Sequence, residues 1–284
     1  MTENRIIRKV TNAIEPIYVM EGAGVKLRRS IATRQLDYVD PFLLFDHFGS
    51  YDPADYMPGF PMHPHRGIET VTYMQAGSVR HGDSLGNAGV ISVGDVQWMT
   101  SGSGIMHEEM PQQGPDGHME GFQLWVNLPA RLKMSPPRYQ GIVAADIPMV
   151  EPSAAIHVKV VAGEYAGKRG PVTEIAADPT YLDVMLDPEV SFSTRITSDH
   201  TAFAYLYSGD GDFGGTFGSA TRMLLFGEGD TIKVIAGKTG VKFLLISGKP
   251  LGEPIARYGP FVMNTQEEIM QAIKELRDGT FIKS

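Results

Sequence analysis

The segment from Met62 to Glu69, with the sequence M-H-P-H-R-G-I-E, decides what fold and chemistry we expect of this chain. It places two histidines, His63 and His65, two residues apart. Successive side chains of a β-strand point to opposite faces, so residues i and i+2 share a face. An H-x-H sequence on a strand therefore directs two imidazoles toward one point.

A second pair with the same spacing lies in I-M-H-E-E-M, where His107 and Glu109 would share a strand face. Two such strands can form a four-ligand site of three imidazoles and one carboxylate. These donors suit a first-row metal such as iron, copper, nickel, manganese or zinc. Glu69 is a second candidate for the carboxylate, because it would share the face of His65 if that strand were regular.

The composition argues against several classes of site and partner. The chain has 284 residues and no cysteine, which removes disulfides, thiolate ligands and thiol nucleophiles. Its net charge of −8 argues against direct nucleic-acid binding, and the cluster of Lys26, Arg28 and Arg29 predicts a solvated face. We find no secretory signal and no apolar run approaching the ~20 residues of a membrane span. We therefore expect no membrane binding and a cytoplasmic location, with the nucleus included in a eukaryote.

Short apolar or β-branched runs separated by turns predict an all-β chain. Their spacing is typical of a sandwich or barrel. The predicted strands of the first half are 68–75, 89–93, 96–100, 105–109 and 122–128. Those of the second half are 156–160, 181–186, 190–196, 201–207, 222–226, 231–235 and 241–247.

The two halves resemble each other. T-V-T-Y-M-Q-A-G, which ends at Gly77, resembles A-F-A-Y-L-Y-S-G, which ends at Gly209. Glycine-aspartate pairs follow in the same order, at 94–95 and 229–230. With the two prolines of 133–139 as linker, this predicts two β-domains, 1–135 and 136–284. The ligand positions shifted into the second half carry no histidine, so we expect one metal site per chain, in the first domain.

The C-terminal residues predict the one clear helix. Thr265 and Glu268 form a capping box, and Gly279 suits the position just after the helix. Four apolar residues follow the cap at helical spacing and predict a packed face: Ile269, Ala272, Ile273 and Leu276.

The metal-ligand motifs carry a family resemblance. Gly59, His63, His65, Glu69 and Gly77 fit the first metal motif of the cupin β-barrels, and 94–107 fits the second more loosely. Three longer segments are similar to pirins, within a resemblance that runs from about 29 to 277. They are F-P-M-H-P-H-R-G-I-E-T-V-T-Y, G-D-V-Q-W-M-T-S-G-S-G-I-M-H-E-E-M-P and G-P-F-V-M-N-T-Q-E-E-I.

The pirin resemblance implies two tandem cupin barrels with one mononuclear non-haem iron, Fe(2+), in the N-terminal barrel. Its ligands would be the residues that match the pirin set, His63, His65, His107 and Glu109. The resemblance thereby favours Glu109 over Glu69 as the ligand. Trp98 and Trp125 are expected in the core, with a wall of the pocket as the alternative for either.

Two functions from different classes follow from the same resemblance. The first is a flavonol (quercetin) 2,3-dioxygenase, which uses dioxygen (O2) to open the ring between carbons 2 and 3 and releases carbon monoxide. Glu109 is our candidate base for the 3-hydroxyl proton, or Glu69 if Glu69 is not a ligand. The second is a non-catalytic, iron-dependent regulator that binds a protein partner, such as a transcriptional co-regulator or a modulator of a metabolic enzyme. No residue of the chain identifies such a partner.

Overall fold

The computed structural model describes residues 5–114 and 116–283, which are mostly strand. The first twelve strands are β1 (Val10–Ile14), β2 (Ile17–Glu21), β3 (Val25–Ile31), β4 (Phe42–Ser50), β5 (Phe60–His65), β6 (Ile68–Ala76), β7 (Ser78–Asp83), β8 (Ala88–Ile91), β9 (Val96–Thr100), β10 (Ile105–Gln112), β11 (Met119–Asn127) and β12 (Arg138–Ile142). Short 3₁₀ turns cover Pro53–Asp55, Ala130–Leu132 and Ala144–Asp146.

The second half adds twelve more strands and, within the described residues, the one α-helix. The strands are β13 (Met149–Ser153), β14 (Ile156–Ala162), β15 (Glu164–Tyr165), β16 (Lys168–Arg169), β17 (Thr180–Leu186), β18 (Ser191–Arg195), β19 (Thr201–Phe213), β20 (Thr216–Ser219), β21 (Arg222–Phe226), β22 (Thr231–Gly248), β23 (Ala256–Tyr258) and β24 (Phe261–Met263). The helix is α1 (Gln266–Arg277). This helix is too short and too polar to span a membrane, and the described residues contain no other candidate. The prediction of an all-β chain with a C-terminal helix is confirmed.

The chain forms two compact units, but they do not follow one cut of the sequence. The unit that we call the first barrel contains residues 17–144 and 251–283, and the second barrel contains 5–16 and 145–250. The predicted boundary between 135 and 136 therefore differs from the structure. The segment 133–139 is not a linker, because β12 pairs with β9 of the first barrel. The N-terminal β1 pairs with β21 of the second barrel, and the C-terminal segment packs on the first.

In the first barrel, two sheets carry the strands of the motifs. One sheet has the order β12-β9-β6-β11-β4-β3-β2, and the other has the order β5-β10-β7-β8. The first seven residues of β6 are all buried, which fits a strand with covered faces on both sides. Both histidines of the H-x-H motif lie on β5, in the smaller sheet, and His107 lies on its neighbour β10.

In the second barrel, the sheet has the path β1-β21-β19-β22-β17-β14-β13, to which β18 and β20 add by pairing with β22 and β19. A cluster of apolar side chains from these strands forms its core. Three of its phenylalanines are in contact: the ring of Phe243 lies 5.1 Å from that of Phe213 and 6.1 Å from that of Phe192.

The repeated sequence occupies corresponding strands in the two barrels. Gly77 follows β6 with φ +73°, and Gly209 lies in β19 with φ +72°. A Cβ atom at Gly209 would lie 2.0 Å from the carbonyl oxygen of Gly240, and one at Gly77 would lie 2.9 Å from that of His118. Both positions therefore require glycine, for conformation and for space. This shared constraint supports the duplication that the sequence predicts.

The helix α1 begins as the sequence predicts. The hydroxyl of Thr265 accepts from the backbone N–H of Glu268, whose side chain accepts in return from the cap backbone. Gly279 has φ +69°, as a residue after a helix end often has. Ile269 and Ala272 are buried as predicted, but Leu276 is 37% exposed, so the apolar face is shorter than the sequence indicates.

A buried lysine ties the C-terminal segment to the first barrel. Lys133 is 1% exposed, and its ammonium donates to the carbonyl of Gly67, the side-chain oxygen of Asn127 and the carbonyl of Val262, all at 2.8–2.9 Å. A buried charge is tolerated when it is fully hydrogen-bonded in this way.

We expect the substitution Lys133→Met to lower the free energy of unfolding of the first barrel by about 3 kcal/mol or more. The reason is that methionine fills the space but leaves three buried acceptors without a donor. Lys26→Met removes an exposed lysine of the same barrel and should change the free energy of unfolding by less than ~0.5 kcal/mol. Denaturant unfolding of the metal-free variants measures both, and equal losses would contradict this role of Lys133.

Candidate metal centre

Three imidazoles meet between β5 and β10. The two strands are antiparallel, with His107 directly opposite His63. The ring of His107 lies 4.3 Å from that of His63 and 5.0 Å from that of His65, and His63 and His65 are 4.9 Å apart. One ring nitrogen from each histidine lies within 4.8 Å of the other two. The structure therefore brings together the three predicted histidines, which we call the triad.

Burial disfavours the charged form of two histidines of the triad, His65 and His107. The Nδ1 atom of His63 lies 2.9 Å from the carbonyl oxygen of Pro61, which can only accept, so this nitrogen donates, and the Nε2 atom of His63 lies 3.1 Å from that of His65. Burial and the neighbouring His63 lower the pKa of His65 to about 3, and burial holds the pKa of His107 well below its usual range. Neutral imidazole is the form that binds metal.

Two buried ring nitrogens of the triad, Nδ1 of His65 and Nε2 of His107, lack a hydrogen-bond partner among the described residues. The Nε2 atom of His107 is inaccessible to solvent, and no atom of the described residues hydrogen-bonds to it. Leaving such a group unsatisfied costs ~1–3 kcal/mol, so a partner is expected at this position. The three nitrogen donors fit a first-row transition metal.

The predicted carboxylate Glu109 is buried in the same cavity as His63 and His65. On β10 the residues alternate between buried and half-buried, so Glu109 shares its face with His107. Its Oε1 atom accepts from the hydroxyl of Thr72 at 2.8 Å. Burial raises the pKa of Glu109, while His63 and the Thr72 hydrogen bond oppose the rise. The carboxylate lies outside the set of mutually close ring nitrogens that forms the triad.

Glu69, the other candidate carboxylate, is hydrogen-bonded to residues outside the triad. Gly67, with φ +79°, breaks the strand after His65, so β5 and β6 belong to different sheets. The premise of a regular strand was therefore wrong. One oxygen of Glu69 accepts from the indole of Trp98 at 3.1 Å and the other from the hydroxyl of Thr100 at 2.9 Å. Glu69 does not line the cavity that His63, His65 and Glu109 line.

The cavity next to the triad has a volume of about 500 Å³ and lies within the first barrel. Aromatic side chains form much of its wall, polar side chains lie beside the histidines, and a charged group lines another part. The aromatic residues are Phe48, Tyr56, Phe60 and Trp125; the polar ones are Thr72 and Gln123; the charged ones are Glu21, Arg29, Asp46 and Arg257. Of the two tryptophans, Trp98 lies in the core and Trp125 lines the cavity.

Arg29 is not on the solvated face that the sequence indicated. Its guanidinium donates two hydrogen bonds to Asp46, at 2.7 and 2.8 Å, and a third to Glu21 at 2.7 Å. These carboxylates raise the pKa of Arg29 above its usual value despite its burial. Burial raises the pKa of Asp46 to about 6, and the two bonds from Arg29 keep it ionised at neutral pH. The sequence does not predict this cluster, because Glu21, Arg29 and Asp46 lie on three different strands, β2, β3 and β4.

The other histidines make local contacts outside the triad. His81 lies 2.9 Å from the hydroxyl of Tyr139, and the ring of His118 stacks on that of Tyr51 at 4.2 Å. In the second barrel, His157 pairs with Glu151 at 2.7 Å, and the side chain of His200 is 3.9 Å from Asp178.

We expect the buried Glu69 to make stability depend on pH. Burial, only partly opposed by the hydrogen bonds from Trp98 and Thr100, raises its pKa to about 7 from a usual 4.5. The folded chain therefore binds more protons than the unfolded chain between these values, and this contribution to stability is lost as the pH rises. Relative to the parent, Glu69→Gln should gain roughly 2–3 kcal/mol of unfolding free energy between pH 4.5 and pH 8.

Denaturant titrations of the metal-free proteins at several pH values measure this gain. Glu253→Gln is a suitable control, since Glu253 lies in the same barrel and is only half-buried. A difference between Glu69→Gln and the parent that does not vary with pH would mean that Glu69 is ionised as easily in the folded chain as in the unfolded one.

Comparison with known proteins places the chain in a family. The sequence model of the Pirin family matches residues 24–126, and that of the Pirin C-terminal cupin domain matches 181–282. A Pirin-like protein of Caulobacter vibrioides is 43% identical over 276 residues, 97% of this chain and 99% of that protein. Pirin of Homo sapiens is 42% identical over 280 residues, 95% of this chain and 93% of that protein.

A solved structure agrees with these relatives. A crystal structure of quercetin 2,3-dioxygenase from Acinetobacter baumannii superimposes with a TM-score of 0.88 and 35% sequence identity, covering 97% of this chain and 99% of that one. These matches confirm the predicted pair of tandem cupin domains. The chain belongs to the pirin family.

Proposed function

We propose that the chain is an iron(II)-dependent dioxygenase that acts on flavonols such as quercetin. The observation that carries the proposal is the triad, of which His63 and His65 line the same cavity as the carboxylate of Glu109. The volume of about 500 Å³ and the aromatic walls suit a flat molecule of this size. The similarity to the quercetin 2,3-dioxygenase of Acinetobacter baumannii supports the same substrate class.

His63, His65, His107 and Glu109 would hold one iron ion per chain. Iron at such a site supplies the redox chemistry that dioxygen needs to react with an organic substrate. The pairing of β5 with β10 fixes the three imidazoles before the metal binds, and the bond from His63 to Pro61 orients one of them.

Glu109 is the residue that we assign to take the proton of the flavonol 3-hydroxyl. Its burial raises its pKa, which makes it a stronger base than an exposed glutamate. The proton moves from the substrate oxygen to a carboxylate oxygen of Glu109. The deprotonated substrate is then electron-rich enough to react with dioxygen, whose two atoms enter the ring-opened product while one ring carbon leaves as carbon monoxide.

Thr72 connects Glu109 to Gln123. The hydroxyl of Thr72 lies 2.8 Å from Oε1 of Glu109 and 2.9 Å from the side-chain oxygen of Gln123. A hydroxyl carries one hydrogen, so it can donate to only one of them at a time. We propose that the Thr72 hydroxyl donates to Glu109 while this carboxylate is ionised. Once Glu109 is protonated, the hydroxyl can turn to Gln123, so Thr72 stabilises the base before the proton transfer more than after it.

We expect one equivalent of transition metal per chain after expression with iron. His63→Ala should remove most of it, because a site that keeps two of three imidazoles binds much more weakly. His157→Ala and His200→Ala in the second barrel remove histidines without touching the triad and should keep the metal. Elemental analysis of the purified proteins measures this, and two equivalents per chain would contradict a single site.

We expect Glu109→Gln to separate two roles of this carboxylate. Glutamine keeps the size but loses the charge and the basicity. If Glu109 is a ligand, the variant loses metal and oxygen uptake together; if it is only the base, it keeps metal and loses uptake by roughly 10²-fold or more. Glu69→Gln is the matched control and should keep both, since Glu69 bonds to Trp98 and Thr100.

Oxygen uptake with quercetin, together with carbon monoxide release, tests the function itself. The iron-loaded parent should consume one dioxygen for each carbon monoxide formed, and metal-free protein should consume none. If iron-loaded protein takes up no oxygen with any flavonol, the dioxygenase assignment fails. The iron-dependent regulator of a protein partner would then be the better account.

A further inference from the structure

Among the described residues, one cation on the charged side of the cavity has no carboxylate within 4.0 Å. Arg257, on β23, donates one hydrogen bond, to the carbonyl of Leu43 at 3.2 Å. No carboxylate oxygen of the described residues lies within 4.0 Å of it, whereas three bonds from Arg29 occupy Asp46 and Glu21. Burial and the charge of Arg29 lower the pKa of Arg257, while the more distant carboxylates of Asp37, Asp46 and Glu21 oppose the fall.

Arg257 is nevertheless held in one place. Its guanidinium lies 5.3 Å from the centre of the Trp125 ring, which is the distance of a cation–π contact. The segment before it is fixed where the backbone N–H groups of Leu251 and Gly252 donate to one oxygen of Asp40. A guanidinium has five donors in a fixed plane, and the residues that the structure describes accept from only one of those of Arg257.

Trp125 connects this guanidinium with the triad. One ring contact of Trp125 is the guanidinium, and another is the imidazole of His65, at 5.1 Å and nearly perpendicular. Trp125, His65 and Arg257 all line the same cavity. A flat ligand that lies along the tryptophan can therefore have one end at the histidines and the other at Arg257.

Arg257 also lines a second, adjacent cavity. That cavity contains Arg29, which is already paired, the exposed Arg34, and one carboxylate, Asp37. Arg29 and Arg257 line both cavities, and of these two guanidiniums only that of Arg29 is paired with carboxylates among the described residues.

We propose that Arg257 is a specificity-determining residue that binds an anionic group of the substrate, so that this protein prefers planar aromatic carboxylates over neutral analogues. The carboxylate accepts two hydrogen bonds from the guanidinium, and the aromatic part lies along Trp125 with its reacting end at the triad. The inference rests on the proposed function for the reacting end, but the anion site is defined by Arg257 alone.

The test is equilibrium binding to the iron-loaded protein without oxygen, so that no turnover is needed. The two probes are 3-hydroxyflavone, which is neutral at pH 7, and the same molecule with a carboxylate at position 4′. The parent should bind the carboxylate roughly tenfold or more tightly than the neutral flavonol. In Arg257→Gln this ratio should fall to about one, and Arg257→Lys should recover only part of it, because lysine lacks the planar pair of donors.

Arg131→Gln is the matched control, since it removes the same charge from an exposed position outside both cavities and should keep the ratio. A parent without a preference for the carboxylate would overturn the proposal, as would a preference that survives in Arg257→Gln. Thermal unfolding of each variant verifies that it folds. Oxygen uptake by the same samples is a separate measurement. Its absence would contradict the dioxygenase assignment but not the binding of an anion by Arg257.

Discussion

The antiparallel pairing of β5 with β10 is the constraint on which the site depends. It places His107 opposite His63, and the two-residue period of β5 adds His65, so one ring nitrogen of each imidazole lies within 4.8 Å of the other two. Imidazoles this close would repel one another if protonated, and burial holds the pKa of His65 and of His107 below the usual range. The strand pairing thus determines the geometry of the triad, and the burial that comes with it disfavours the charged form of His65 and His107.

The two buried glutamates near the triad, Glu69 and Glu109, have different roles. Glu69 is buried with both oxygens bonded to Trp98 and Thr100, which makes it part of the core. Glu109 is buried with a hydroxyl on one oxygen and shares the cavity with His63 and His65. The same residue type, at a similar depth, is therefore structural in one place and available for chemistry in the other, and the difference lies in the hydrogen-bond partners.

The sequence predicted the parts of this arrangement that depend on short-range periodicity. The H-x-H motif, the second pair at 107 and 109, most strand positions after residue 68 and the cap of α1 all follow from spacing within a few residues. Gly67 also carries information, because a glycine between His65 and Glu69 can end a strand. The runs of apolar residues in β2 and β4 are likewise typical of strands, although the sequence analysis predicts none there.

Other features depend on contacts between distant segments and could not be predicted from spacing. The ion pair of Arg29 with Asp46 depends on the pairing of β3 with β4. The N-terminal segment belongs to the second barrel because β1 pairs with β21. Arg257 reaches the cavity from more than a hundred residues beyond Trp125. A single sequence gives the order of such segments along the chain but does not specify which of them meet.

The measurement that tests the central claim most directly is X-ray absorption spectroscopy at the iron edge of the iron-loaded protein. The account predicts one kind of iron with three imidazole ligands and additional oxygen donors, and His107→Ala should reduce the imidazole count of whatever iron remains. A spectrum of the parent dominated by oxygen ligands, or one that His107→Ala leaves unchanged, would contradict the claim that the triad holds the metal.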